Sequence, residues 1–490
     1  MGAPRRRAPA AAEDGGHIPH PGPPTVEHVV IIPAQVAEVT AAGHVVAPPR
    51  VSRSDLATTH GVTLSTTTFR SRITARIGRS YLARIQKHGL GSSTMKLLPE
   101  QLLMPLRRDG LDPVRRLAEV RASAPVTRVD LPFGMDAWVV TGYEESKAVL
   151  GSPEGFSTDF AHLAGNAGIV AEHSPGGLGF SDPPVHTRLR RILTPEFTMR
   201  RLRRLTPRID AIVAERLDAM AATPGPVDLV HAFALPVPSL TICELLGVPY
   251  EDRDDFQKLA MDRFDLFAGT TAPFGAMSAS LDYFRGVVRA QRRDPGDGLL
   301  GMIVREHGDS VDDEELAGLA DGVLTGGFET TASTIALGAL VLLRDPKVAE
   351  RLRTDDGVTA LFVEEVLRYL SAVQIAFPRF AREDIEIAGV VIPRGDMVLC
   401  SLSGANRDAA YVTDDGRFDV DRVTAAGHLA FGHGIHRCIG AELARMELRS
   451  AFPALVRRFP GMRLAVPPQE LAFRKLSIVY GVDALPVRLR

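Results

Sequence analysis

The chain has 490 residues, 45% hydrophobic and 24% charged, the proportions of a globular protein with a large core. A formal net charge of −2 argues against a general nucleic-acid or membrane-surface binder, and no run of 18 apolar residues marks a membrane anchor. Cys243, Cys400 and Cys438 are too widely spaced for a disulfide framework or a CxxC knuckle, which points to a reducing, cytoplasmic compartment.

Residues 1–94 are rich in Ala, Pro, Thr, Ser and Arg, and no Asp or Glu occurs from Leu56 to Pro99. The Arg-rich part, residues 69–87, has the composition of a transit peptide but lies far from Met1. The expectation is therefore a disordered N-terminal extension, or a functional start at Met95, followed by one domain over 95–490.

From there the pattern is mostly helical. A strand is expected over 137–140, and Glu144 and Glu145 open a short helix that Gly151 ends. In Asp182-Pro-Pro-x-His186-Thr-Arg-Leu-Arg190, His186 and Arg190 are four residues apart and share one helix face. Eight arginines between Thr187 and Arg208 either steer an acidic partner or serve as ordinary helix-surface charges.

A long helix is expected from near Ser310, with Ser310 and Asp313 as a capping box, to Arg344, where Asp345-Pro346 stops it. At ~1.5 Å per residue it would span about 50 Å. Inside it lies Leu324-Thr-Gly326-Gly327-Phe-Glu329-Thr330-Thr331. Two glycines in a helix interior cost about 1 kcal/mol each relative to Ala, so a local widening or a close ligand approach is expected. Packing against a neighbour would explain the glycines but not the acid and alcohol that follow. A further helix covers 358–369, where Glu365 or Glu364 could pair with Arg368, and short strands are expected at 385–387 and 390–392.

Residues 428–445 read HLAFGHGIHRCIGAELAR. The run after Cys438 places Ile439, Leu443 and Met446, then Phe452, Leu455 and Phe459, on one face, so a helix begins beside the thiol. A thiolate there gains roughly 0.3–1 kcal/mol from the helix dipole and becomes a soft anionic metal ligand. Three readings remain at this point: a zinc site on His433, His436 and Cys438 with a distant fourth ligand, a buried structural cysteine, or an axial haem ligand.

The stretch Phe431-Gly432-x-Gly434-x-His436-x-Cys438-x-Gly440 resembles the haem-thiolate signature of the cytochrome P-450 family, and the likeness extends from about Met95 to the C-terminus. It implies a mainly α fold, a helical domain with a long central helix and small β-sheets around a buried haem. The resemblance makes Cys438 the iron ligand of haem b, with Gly432 and Gly440 leaving room for the ring. His186, Arg190, Arg379 and His436 would meet the propionates. Glu329 and Thr330 would form the oxygen-activation pair, with Thr330 in the hydrogen-bond network and Glu329 relaying protons.

Glu365, Arg368 and Arg422 would be a structural triad, and Asn406-Arg407-Asp408 matches a further motif. Ser371-Ala372-Val373 departs from the Ser-Pro-Val common in relatives. The implied enzyme is a monooxygenase inserting one atom of O2 into a hydrophobic small molecule by hydroxylation or epoxidation, in secondary-metabolite, terpenoid or steroid metabolism. No Rossmann fingerprint is present, so electrons would come from an external ferredoxin and ferredoxin reductase. Substrate contacts would come from 160–179, 256–284, 323–327, 373–377 and 477–480. The alternatives are a haem-thiolate enzyme catalysing a non-oxygenating rearrangement or a peroxide-driven oxidation, and a non-catalytic haem-binding protein.

Overall fold

The computed structural model describes residues 99–130, 136–159, 178–248, 273–412, 416–422 and 427–490. The expected extension over 1–94 lies outside them, as do residues 160–177 and 256–272 of two expected substrate-contact segments.

Helices carry the architecture: α1 (Arg115–Ser123), α2 (Tyr143–Leu150), α3 (Val185–Leu193), α4 (Thr206–Ala222), α5 (Pro236–Leu246), α6 (Pro273–Arg293), α7 (Leu299–His307), α8 (Asp313–Arg344), α9 (Pro346–Thr354), α10 (Val358–Leu370) and α11 (Ala441–Arg458). The long helix α8 is the axis on which α5, α6, α10 and α11 pack. Phe233, Ile242, Phe284, Leu337 and Phe452 are fully buried around it, each worth about 1.5–3 kcal/mol relative to exposure. By length and hydropathy α8 could cross a membrane, yet 78% of its apolar window is buried within the protein, which makes it a core helix.

The start of α8 corrects the expected cap. Asp312, not Ser310, caps the helix by accepting the Glu315 N–H at 2.8 Å, while Ser310 donates to the His307 carbonyl at 2.7 Å and closes the preceding turn. The other end is as expected, because Asp345 accepts the Lys347 and Val348 N–H groups and starts α9 with Pro346. The helix around Val358 runs to Leu370, and the short helix α2 ends at Gly151.

A five-stranded sheet flanks the helices. Its strands are β1 (Val126–Asp130), β2 (Asp136–Val140), β3 (Phe156–Ser157), β4 (Arg379–Ala381) and β7 (Met397–Cys400), in the spatial order β1-β2-β7-β4-β3. Strands β2 and β7 are parallel, with Ala137 opposite Met397 and Val140 opposite Cys400. The expected β5 (Ile385–Ile387) and β6 (Val390–Ile392) form a separate hairpin. Trp138, Val140, Phe156, Val398 and Cys400 build a second core under this sheet. Cys243 and Cys400 are buried core thiols, and burial pushes Cys400 up to about 12.

Candidate active site

The loop before α11 is built to present one thiol. Gly434 has φ +72°, and a Cβ there would lie 2.3 Å from the Leu150 carbonyl oxygen, so the loop can press onto the end of α2 only with glycine. The Cys438 N–H donates to the Phe431 carbonyl at 2.8 Å, and the Arg437 N–H donates to that of Gly434 at 3.0 Å. These bonds fold the loop back on itself with Cys438 just ahead of Gly440, the N-cap of α11. Burial raises the Cys438 thiol, opposed by the Gly440 N–H that bonds to it and by Arg190, Arg437 and Arg445. The same residue is exposed. The described residues therefore surround this thiol without covering it. A Cβ on Gly432 would meet nothing within 4 Å, whereas one on Gly440 would stand in ordinary contact with Phe197 Cε1 at 3.9 Å and Cys438 Sγ at 4.0 Å.

Four of the residues expected beside the thiol converge on it. Helix α3 carries His186 and Arg190, β4 begins with Arg379, and His436 closes the turn Gly434–His436. The rings of His186 and His436 lie 4.3 Å apart. Arg190 acts electrostatically on Cys438, and Arg379 on His436. His186 and Arg379 are buried, and His186 Nε2 and His436 Nδ1 have no hydrogen-bond partner among the described residues.

Burial, then Arg379 and His186, push His436 down to about 3, while burial and then Arg190 lower His186. Arg379 donates to the carbonyls of Phe377 and Pro378. Asp182, the nearby carboxylate, is already held by Ser157, Thr158 and Arg382. An unpaired buried cation costs several kcal/mol, as an order of magnitude. This cluster therefore fits a ligand that brings its own carboxylates, as haem b does. Among the described residues no three His, Cys, Asp or Glu side chains converge as a metal-binding group, so the alternative zinc set does not form.

The acid and alcohol of α8 point to different partners. Residues 313–344 stay α-helical throughout, so the expected local widening is not observed. The adjacent glycines Gly326 and Gly327 of this helix face different surroundings. A Cβ on Gly327 would lie 3.1 Å from Ile242 Cδ1, so this glycine lets α5 pack closely, whereas one on Gly326 would meet nothing within 4 Å. Thr330 Oγ1 donates to the Gly326 carbonyl at 2.8 Å on that open side. Glu329 is 8% exposed and paired at 3.0 Å with Arg474, which also contacts Asp483. Burial raises the Glu329 carboxyl to about 7, with Arg474 pulling in the opposite direction. Arg474 has no local motif to mark it, lying 145 residues further along the chain.

Behind the thiol the charges are matched. Arg368, 2% exposed, donates to both oxygens of Glu365 at 2.7 and 2.6 Å, and Arg422 reaches Glu365 at 3.3 Å. Arg368 also donates to the carbonyls of Asn406 and Arg417. Asn406 accepts the Leu429 N–H at 2.7 Å and donates to Ser371 at 2.8 Å, tying its motif to the start of the thiol loop. The turn at Ala372 forms without proline, held by the Tyr480 N–H on the Ala372 carbonyl at 2.7 Å.

Glu364, the rival partner for Arg368, belongs to a second network that the sequence did not reveal. It accepts Arg445 at 2.6 and 2.8 Å and pairs with His428 at 3.2 Å. Burial works against its charge, but these bonds win and hold it at about 2. His428 Nδ1 accepts the Ala430 N–H, so Nε2 carries the proton toward Glu364. Arg445 lies 4.8 Å over the ring of Phe431, whose carbonyl receives the Cys438 N–H.

Half of the arginine set is structural. Arg188 pairs with Glu315, Arg201 with Glu196 and Glu306, Arg204 with Glu196, and Arg208 with Glu244. Arg191, Arg200 and Arg203 are exposed without an ion pair among the described residues, as is Arg437 beside the thiol. Of the expected substrate contacts, Phe377 and Ile478 are exposed large apolar side chains, and Phe377 sits 4.6 Å from Phe180.

Known proteins share this arrangement of chain. A family model described as Cytochrome P450 matches residues 287–470. Cytochrome P450 165B3 of Amycolatopsis orientalis is 41% identical over 390 residues, which cover 78% of this chain and 97% of that protein. Mycinamicin IV hydroxylase/epoxidase of Micromonospora griseorubida is 40% identical, over 77% of this chain and 96% of its own. The structure of P450 StaH from glycopeptide antibiotic A47934 biosynthesis superposes with a TM-score of 0.70 at 42% identity, over 79% of this chain and 99% of that one.

Proposed function

Since this chain belongs to the cytochrome P450 family and is a haem-thiolate monooxygenase, we propose that Cys438 ligates the iron of its haem b and that its substrate is an apolar secondary metabolite of moderate size. One observation supports the ligand assignment above the rest. An exposed thiol opens onto unfilled space beside two arginines without a carboxylate partner and two imidazoles with an unpartnered nitrogen, all among the described residues. His186, Arg190, Arg379 and His436 would hold the propionates, and Gly432 and Gly440 would leave the ring its space. When bound, haem b supplies a redox-active iron at which dioxygen is activated with two electrons and two protons. Thr330 fixes hydrogen bonding on the open side of α8, and Glu329, raised to about 7, is poised to move a proton near neutral pH.

The apolar substrate class rests on Phe180, Phe377 and Ile478, and on relatives whose names include a hydroxylase/epoxidase and enzymes of glycopeptide antibiotic biosynthesis. P450 monooxygenases draw electrons from redox partners. Here we assign an external ferredoxin and its reductase, docking at the exposed Arg191, Arg200, Arg203 and Arg437. Three cysteines that form no disulfide, and dependence on reduced ferredoxin, fit a cytoplasmic setting.

The test is conversion of a panel of apolar secondary metabolites under ¹⁸O2 with NADPH, ferredoxin and reductase. One labelled oxygen atom in the product is expected. An unlabelled product would establish a non-oxygenating reaction, and equal turnover with hydrogen peroxide alone would remove the need for the Glu329–Thr330 pair. Haem retention without any turnover across the panel would favour a non-catalytic haem-binding protein.

A further inference from the structure

The pairing of Glu329 leads beyond the helix that carries it. Residues 472–483 form a hairpin: Phe473 bridges Val482, the Arg474 N–H donates to the Gly481 carbonyl, and the Asp483 N–H donates to that of Ala472, both at 2.9 Å. Arg474 sits on this hairpin between two acids. Its Nη1 lies 3.0 Å from Glu329 and 3.4 Å from Ser333 Oγ, and its Nε lies 3.4 Å from Asp483. Glu329 is buried, whereas the Asp483 side chain is 60% exposed. One guanidinium is thus divided between a surface carboxylate and the buried acid of α8.

The far end of the hairpin is a turn with an apolar tip. Gln374 donates from its N–H to the Ile478 carbonyl at 2.9 Å and from Nε2 to that of Ser477 at 2.7 Å, and the Tyr480 N–H donates to Ala372. Leu476 adopts φ +53°, a left-handed conformation that side chains resist. Within this anchored turn Ile478 is 44% exposed. At the base a Cβ on Gly481 would lie 2.8 Å from Ser333 Oγ and 3.2 Å from Arg474 Cζ, so the hairpin backbone presses on α8 beside the ion pair. The tip and the ion pair are thus joined by one short hairpin packed against α8.

We propose that Arg474 is a positioning residue for the proton relay, holding Glu329 while the turn over residues 477–480 is free and yielding it to exchange with Asp483 when an apolar ligand packs on Ile478. The inference rests on the relay role assigned to Glu329 above. Paired with Arg474, whose positive charge opposes the effect of burial, Glu329 is biased toward its ionised form. Released, it is a buried carboxyl that takes up a proton and can hand it toward the open side. Among the described residues the charged group facing Glu329 is Arg474 on the hairpin, which also touches Ser333 on α8 and Asp483 at the surface.

The experiment titrates the Glu329 carboxyl in the holoenzyme by infrared difference spectroscopy, using Glu329→Gln to assign the band, and follows product formed per NADPH against pH. Asp483→Asn removes the competitor at an exposed site and should lower the midpoint by about half a pH unit, with more peroxide released at neutral pH. Arg474→Gln should raise it by about one unit, a tenfold change in proton affinity, and Arg474→Lys should restore part of the shift. In the wild type, 4-phenylimidazole, which places an apolar ring beside the iron, should raise the midpoint by about half a unit, and imidazole alone should not. In Arg474→Gln that difference should vanish.

An unchanged midpoint in Asp483→Asn, or an equal response to both probes in the wild type, would overturn the proposal even where Arg474→Gln fails to fold. Loss of oxygenation in the wild type would instead count against the relay reading beneath it.

Discussion

The two sides of the Cys438 loop carry buried charge in opposite ways. Behind the loop, Glu365, Arg368 and Arg422 satisfy one another, as do Glu364, Arg445 and His428. In front of it, among the described residues, His186 and His436 each keep a nitrogen without a partner, and Arg190 and Arg379 have no carboxylate paired to them. Closed networks serve the fold, because each group has what it needs within the chain. Open ones serve a ligand, because the missing partner must arrive.

The sharpest way to break this contrast is at the thiol between the two sides. Cys438→Ser should abolish thiolate ligation, with complete loss of the strongly red-shifted carbon-monoxide band; a variant that kept the band would refute the ligand assignment. Next comes a matched pair of buried arginines. Arg368→Ala opens the closed network and should cost about 3–5 kcal/mol of chain stability in chemical denaturation. Arg379→Ala removes a cation from the open cluster. It should destabilise the chain far less than Arg368→Ala, because an unpaired buried charge is removed with it, while lowering haem retention about tenfold. Equal losses of stability in the two variants would erase the distinction between the sides.

Thr330→Ala should still bind substrate but release peroxide in place of product, measured as the ratio of NADPH consumed to product formed. Tight coupling in that variant would remove Thr330 from the relay.

The smallest effect is a pH dependence. His436 is held at about 3 against an ordinary 6.5, so the fold without haem keeps it neutral while the unfolded chain takes up a proton below 6.5. This group's effect on stability is absent above pH 6.5 and becomes a growing loss as pH falls toward 3. Propionates would favour its protonated form, so haem loading should flatten that slope. Glu364, held at about 2 on the closed side, should lose its contribution as pH falls from its ordinary 4.5 toward 2, with or without haem. Denaturation series at several pH values, with and without haem and in His436→Gln, would show which slope responds.

Local signals carried the parts of the molecule that were legible beforehand. The thiol loop was readable because its glycines, histidine and cysteine lie within ten residues, and α8 because Asp345-Pro346 punctuates an apolar run. The α8 cap was misplaced because Ser310 and Asp312 are both competent caps, and the turn at His307 decides between them. His428 and Arg474 stayed unreadable for a different reason. Their partners, Glu364 and Glu329, are distant in sequence and meet them only through helix and hairpin packing. The arginine run could be read two ways for the same reason: Glu315, Glu306 and Glu244, which neutralise part of it, lie on other helices.

The hydroxyls of Thr325, Thr330 and Thr334 each donate to the carbonyl four residues earlier on α8. For Thr330 this fixes a direction as well as a position. Its only hydroxyl proton is committed to Gly326, so what it turns toward the open side is oxygen lone pairs. Thr330 is therefore an acceptor there, able to hold only a partner that brings its own proton. The helix backbone, by claiming one hydrogen, decides which protonation state the cavity retains.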